Sequence, residues 1–126
     1  IDLDNFFTDI NRYLRSLEET VILTLKDYNI VGQRSDKETG VWIDPTTLNP
    51  RKICAMGVKA SRWVTMHGLA LNVNTNLDFF KNIIPCGIEN KFITSISKEC
   101  KNPVDLTLVK KKIIKNFLNV FSAELN

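Results

Sequence analysis

The hydrophobic period changes twice along this chain, and each change limits what it can fold into. Leu3, Phe6, Phe7, Ile10, Leu14, Leu17, Val21, Leu25 and Tyr28 recur at steps of three and four. At 3.6 residues per turn they form one apolar face, with Asp9, Arg12, Arg15, Glu19 and Lys26 turned outward. The spacing predicts a helix from residue 3 to about residue 28, capped by Asp2 or Asp4, ended at Asn29, and laid against a sheet. From Ile30 the pattern shortens. Residues 30–34 read as a brief strand, the polar run 35–40 as a loop, residues 40–43 as a strand, and Asp44–Pro50, with a proline at positions 45 and 50, as a turn. Residues 52–58 are small, apolar and led by a lysine. A strand pair is expected over Arg62–Met66 and Leu69–Asn74, the second alternating apolar and polar at period two. Gly57 and Gly68 interrupt these stretches, as glycine does where a ligand or another backbone comes close.

The helical period returns over Leu77–Ile83, which leads into Pro85-Cys86, while Ser95–Lys101 is short and polar. Asp105 or Thr107 can cap a closing helix whose inner face is Leu108, Val109, Ile113, Phe117, Val120 and Phe121. Helix, several strands, short helix, long helix is the order of an α+β fold with a mainly antiparallel sheet packed against helices. No internal repeat or boundary divides residues 1–126, which are read as a single domain.

Composition narrows the function classes. The chain is 44% hydrophobic and 25% charged, an ordinary globular balance. No apolar run approaches the roughly 18 residues of a membrane span. The acidic start Ile1-Asp2-Leu3-Asp4 is not a signal peptide and reads as the middle of something longer. A net charge of +3 is too mild for a nucleic-acid binder, and the cluster Lys110-Lys111-Lys112-Lys115 reads as a solvated helix face. Three cysteines without CxxC spacing, and one histidine, argue against a metal site and for a reducing intracellular compartment.

Chemistry enters with two residues. Cys86 lies between Pro85 and Gly87, so its backbone is constrained and no neighbouring side chain covers the sulfur. Lys52 can supply the positive charge that turns a thiol into a thiolate. By themselves these residues also fit a buried inert thiol and a surface lysine. Cys54 and Cys100 read as structural bystanders, and Trp42 and Trp63 as core.

Four segments in order, Gly40-Val41-Trp42, residues 51–58, residues 61–72 (Ser-Arg-Trp-Val-Thr-Met-His-Gly-Leu-Ala-Leu-Asn) and Pro85-Cys86-Gly87-Ile88, closely resemble the lipoyl(octanoyl) transferase family. The likeness runs from about Tyr13 to Glu99. It implies a fold shared with biotin and lipoate protein ligases. It also implies an enzyme that moves an octanoyl chain from octanoyl-acyl-carrier protein to a lysine of a lipoyl domain, in 2-oxoacid dehydrogenase complexes or the glycine cleavage H protein. In that family Cys86 stands at the acyl-thioester nucleophile and Lys52 at its acid/base partner. Ala55, Met56, Gly57 and Gly68, Leu69, Ala70 fall on the acyl-substrate segments, and His67 lies in the same motif. His67 has two readings, pocket lining or a core histidine. Val58, Met66, Leu69 and Leu71 are expected to line an apolar slot. No cofactor, metal, nucleic acid or membrane is implied, and the protein is expected to be monomeric. The family occurs in bacterial cytoplasm and in mitochondria and plastids.

The expected chemistry is coherent. A free cysteine is mostly thiol at neutral pH; a nearby ammonium favours the thiolate, and desolvation lowers the lysine so that it can exchange protons. The two then titrate as a pair. Cys54 and Met56 stand where the family often has alanine and isoleucine, and the Asp44–Pro50 excursion is longer than usual. The family's Arg-Gly-Gly and Tyr-His-Gly-Pro-Gly segment, upstream of the first long helix, is not in this sequence. The resemblance therefore implies the C-terminal portion of a catalytic domain, incomplete at the N-terminus, with an open pocket and unpaired sheet edges. Two rivals are kept: an ATP-dependent lipoate or biotin ligase of the same fold, and a non-catalytic module that only binds lipoyl domains.

Overall fold

A computed structural model describes residues 1–82 and 92–125. The Pro85–Ile88 segment, and Cys86 with it, lies outside the described residues. The elements are helix α1 (Ile10–Lys26), strands β1 (Val41–Ile43), β2 (Arg51–Ser61), β3 (Val64–Leu71) and β4 (Phe92–Ile93), and helices α2 (Ile96–Cys100) and α3 (Leu106–Phe121). Short 3-10 helices cover Leu3–Asn5 and Leu77–Asn82.

The first helix starts later than the apolar stripe predicts. Asp9 is its cap, accepting a 2.9 Å hydrogen bond from the Arg12 amide. Asp2 caps the separate 3-10 turn instead. Leu3 is still buried, because its amide donates to the Trp63 carbonyl and the turn folds back onto β3. Phe6 and Phe7 meet the ring of Phe121 at 5.9 and 6.1 Å between centroids. The period was right for burial except at Phe6, which is exposed, and wrong for continuity. The chain leaves the helix through Asn29, which takes a left-handed φ of 57°.

β2 is the centre of the sheet. It pairs antiparallel with β1 and β3, and in parallel with β4 over Arg51–Lys52. The expected strands Arg62–Met66 and Leu69–Asn74 are corrected to one strand, β3, running through Gly68. Its partner is the lysine-led stretch, and the hairpin turns at Arg62-Trp63, where Ser61 pairs with Val64. Both turn residues have positive φ, 49° and 64°, the two-residue geometry whose twist matches antiparallel strands. Neither is glycine, so sequence gave no turn signal there. Trp63 is exposed at this tip, which corrects its assignment to the core. Residues 30–34 reduce to one bridge, Gln33 to Trp42.

α1 and α3 lie together on one face of the sheet. One cluster joins Val21, Leu25, Val41, Ile43, Ile53, Cys54, Ile96 and Val109. A second joins Leu3, Tyr13, Leu17 and Phe121, with Met56 and Leu69 packed against both. Asp105 caps α3 through the Thr107 and Leu108 amides. Leu108 itself is exposed, so the inner face of α3 begins at Val109. The polar stretch after Ser95 contains α2, whose cap is the Ser95 hydroxyl on the Lys98 amide at 3.1 Å. Among the described residues no helix is long and apolar enough to cross a membrane.

Candidate active site

Period two alone would hide Lys52. If β2 alternated strictly, Lys52 would share a face with Cys54 and Met56 and point into the helices. The register against β1 slips instead: Val41 pairs with Cys54, but Trp42 pairs with Lys52. One extra residue, Ile53, is taken up as a bulge, and Ile53 and Cys54 both go into the core beneath the helices. A bulge of this kind reverses the facing of everything beyond it. Lys52 therefore lies on the opposite face, the one that carries Ala55 and Gly57.

Three features hold Lys52 there. Its Nζ lies 4.7 Å from the centroid of the Trp42 ring, its directly paired neighbour, which is itself buried. Its Nζ also makes a 3.1 Å ion pair with Glu38 Oε2. Gly40, at φ 115°, brings the loop close: a methyl group there would sit 3.8 Å from Lys52 Cε and 2.5 Å from the Cys54 carbonyl oxygen. Burial pushes the Lys52 ammonium down from the ordinary lysine range, with Cys54 opposing. The lysine is thus partly desolvated yet charge-paired, the environment in which an amine can exchange protons.

Beyond Lys52 the same face opens. Ala55, Met56, Gly57, His67, Gly68, Leu69 and Ala70 line a depression of about 590 Å³. The seven residues that the resemblance assigned to acyl-substrate segments and their motif are brought together there. The antiparallel register explains it, since Ala55 faces Ala70 and Gly57 faces Gly68. A methyl group at either glycine would meet nothing within 4 Å, so the glycines leave open space and are not required for packing. His67 is exposed on β3 with φ 67°, which excludes the core reading and leaves it at the rim. The expected slot of Val58, Met66, Leu69 and Leu71 is corrected. Val58, Leu69 and Leu71 pack against the helix-side clusters, while Met66 is exposed. Alternation separates the four into two faces.

Cys54 is not a rival nucleophile. It is fully buried, and burial pushes its thiol up to about 12, so it stays protonated at neutral pH. Cys100 lies 3.7 Å from the Tyr28 carbonyl oxygen, away from Lys52's face, on α2. Trp42 is in the core as expected, and among the described residues its Nε1 has no hydrogen-bond partner. Among the described residues no three His, Cys, Asp or Glu side chains converge as a metal-binding group.

Sequence reasoning missed Glu38 and Glu18. Glu38 sits in a run read only as a polar loop, 14 residues from its partner. Glu18 lies on α1 and is fully buried; it accepts from Arg15 at 2.8 Å, Arg34 at 3.1 Å and the Gly40 amide at 3.0 Å. A charged residue at the edge of an apolar stripe carries no local sign of such a role.

Comparison with known proteins agrees with this architecture. The chain is 59% identical over 126 residues to an octanoyltransferase of Christiangramia forsetii, covering 99% of this chain and 54% of that one. A bi-partite lipoate protein ligase from Thermoplasma acidophilum superposes with a TM-score of 0.74 at 16% identity, over 94% of this chain and 48% of that one. A biotin protein ligase from Aquifex aeolicus does so with a TM-score of 0.60 at 15% identity, over 97% and 49%. At those identities the two structures speak to the fold alone, and it is the expected biotin/lipoate ligase-like fold. The chain spans about half the length of the curated relatives it matches. Its sequence matches the lipoyl protein ligase A/B catalytic domain over residues 1–118, and the chain belongs to that family.

Proposed function

We propose that the full-length protein carrying this chain is an octanoyltransferase of protein lipoylation. The observation that supports this most directly is the bulge at Ile53, which turns a partly desolvated lysine onto the sheet face that holds the depression. The relatives named octanoyltransferase supply the reaction.

In this reading the Cys86 thiolate attacks the carbonyl carbon of an octanoyl thioester on acyl-carrier protein. A new C–S bond forms, the old one breaks, and the carrier leaves as a thiol with a proton from Lys52. A lysine amine of a lipoyl domain then attacks the acyl-enzyme. The C–N bond forms, the bond to Cys86 breaks, and Lys52 takes the proton released by the amine, which restores the starting pair. Thioester to thioester is nearly balanced, and amide formation is downhill, so no ATP is consumed. The eight-carbon chain would lie along the depression, with about 0.8 kcal/mol per buried CH₂ available as anchorage. Both protein partners, acyl-carrier protein and lipoyl domains of 2-oxoacid dehydrogenase complexes or the glycine cleavage H protein, would meet a mildly positive chain. The reaction would take place in a reducing compartment, the cytoplasm in a bacterium.

The test is a mass measurement. The full-length protein, given octanoyl-acyl-carrier protein without ATP, should gain an octanoyl adduct on Cys86 and pass it to a lipoyl domain. Cys86→Ala should abolish transfer, and Lys52→Arg should lose most of it, since guanidinium keeps the charge without shuttling protons. A strict ATP requirement, or full turnover by Lys52→Arg, overturns the reading.

A further inference from the structure

We infer that Glu38 is a positioning residue for Lys52: its carboxylate, seated by a buried anchor on α1, fixes Nζ on the open face of the sheet. The inference rests on the acid–base reading of Lys52 above and adds a residue to it.

An ion pair between two side chains that are about a third exposed, Glu38 at 33% and Lys52 at 27%, is by itself a small contribution. What sets this one apart is how the loop that carries Glu38 is held. Gly40 donates its amide to Glu18 Oε1 at 3.0 Å. Arg34, at the other end of the loop, donates Nε to Glu18 at 3.1 Å and Nη2 to Glu19 at 2.6 Å and to the Arg15 carbonyl at 3.1 Å. Both ends of residues 34–40 are thereby tied to α1. Burying the Glu18 carboxylate is costly unless its oxygens are satisfied, and here each oxygen has a donor. The result is a short, clamped loop that holds the Glu38 carboxylate against Lys52.

That lysine has little else to choose from. Among the described residues the charged or titratable groups set against it are Glu38 on the loop and Cys54 on β2; β1 and β4 present Trp42 and Ile93 at the paired positions. Trp42 attracts the ammonium through its ring face but does not fix a direction for its protons. Glu38 does, through a 3.1 Å hydrogen bond. It also keeps Lys52 protonated against the loss of hydration, so that the proton is present when the carrier thiol leaves. Removing the charge while keeping the shape should let the proton come off at lower pH.

The experiment measures octanoyl transfer by the full-length protein against pH, for wild type, Glu38→Gln, Glu38→Asp and Lys52→Ala. Expected is a roughly tenfold fall in kcat for Glu38→Gln, a fraction of what an acid–base residue itself supplies. KM for the carrier should stay within about twofold, the alkaline limb should move to lower pH, and Glu38→Asp should recover part of both rate and profile. Thermal melting of each variant shows whether it is folded. An NMR titration of the Lys52 side-chain amine should show the same displacement without relying on turnover. If Lys52→Ala is inactive but Glu38→Gln keeps the wild-type rate and profile, the inference falls and the acid–base reading stands. A loss of rate with an unmoved pH profile and an unmoved Lys52 titration also sinks it, as a purely structural effect. If Lys52→Ala turns over normally, the acid–base reading falls and the role of Glu38 with it.

Discussion

At its Arg51–Lys52 end β2 is paired on both sides, by β1 and by β4, whereas over Gly57–Ser61 it is paired by β3 alone among the described residues. The first end is dense with polar contacts. Lys52 meets Glu38 and Trp42, and Arg51 meets Glu99 at 2.9 Å and Asp44 at 3.1 Å. At the second, the open face is built from Ala55, Gly57, Gly68 and Ala70, and a methyl group added at either glycine would meet nothing within 4 Å. The same strand thus serves two purposes by opposite means. Under the proposed function the division has a reason: a group that handles protons has to be fixed from several directions, while a surface that receives an alkyl chain has to be left vacant.

The comparison breaks most sharply at the glycines. Gly57→Leu and Gly68→Leu each place a side chain in the depression, starting from a Cβ with nothing within 4 Å. Octanoyl transfer by the full-length protein should fall at least about a hundredfold, in line with the cost of displacing a reacting group by an ångström. The free energy of unfolding read from urea titration should change by less than about 0.5 kcal/mol, as for a substitution on an open surface. Unchanged transfer would remove the depression from the acyl path.

The dense end should show the reverse, a loss of stability. Gly40→Ala puts a methyl group 2.5 Å from the Cys54 carbonyl oxygen at φ 115°, where alanine is strained even in open space. The bulge and the Glu38 loop cannot both stay in place. About 2–4 kcal/mol should be lost, read from urea unfolding of the full-length protein. A loss under 1 kcal/mol would mean that the loop yields easily, and the contrast between the two ends would weaken.

How much of this could be read from the sequence follows from the same division. The grouping at the vacant end was legible, because its residues are neighbours in sequence and their types match a known pattern: Ala55 to Gly57 and Gly68 to Ala70 line one depression. The helical stripes were legible as burial, though the cap at Asp9 was not, since Asp2, Asp4 and Asp9 look alike until the chain's path is known. The bulge was hidden because nothing local marks Ile53 as the extra residue; the slip exists only relative to β1. Glu18 and Glu38 act across 22 and 14 residues, distances at which one sequence carries no pairing signal. The hairpin tip was missed because Arg62 and Trp63 occupy left-handed positions that turn-forming residues usually announce.

That tip offers a smaller, stabilising test. Replacing Arg62-Trp63 by Asn-Gly supplies the residues that tolerate positive φ at both positions. The full-length protein should gain about 1–2 kcal/mol, seen as a higher Tm, from relief of two left-handed non-glycine residues. No gain would mean that the exposed Trp63 ring contributes as much through packing as its backbone costs.

The smallest expected effect belongs to Glu99, and its sign can be worked out. Burial raises the Glu99 carboxyl, but hydrogen bonds from Arg51 and Thr94, with the Arg51 charge, more than cancel this and hold it below the usual glutamate range. Its folded value therefore lies below the unfolded value of about 4.3. The stabilisation is fully present above that unfolded value and is lost as pH falls through the folded one. Glu99→Gln removes the charge and leaves an amide that can still meet Thr94. The stability gap between wild type and variant should be constant from neutral pH down to about 5, and should close progressively below about 4.3. A gap that instead widened on acidification would mean that Glu99 is held protonated by burial, and that Arg51 is fixed by Asp44 alone, with the dense end of β2 resting on β1 and owing nothing to α2.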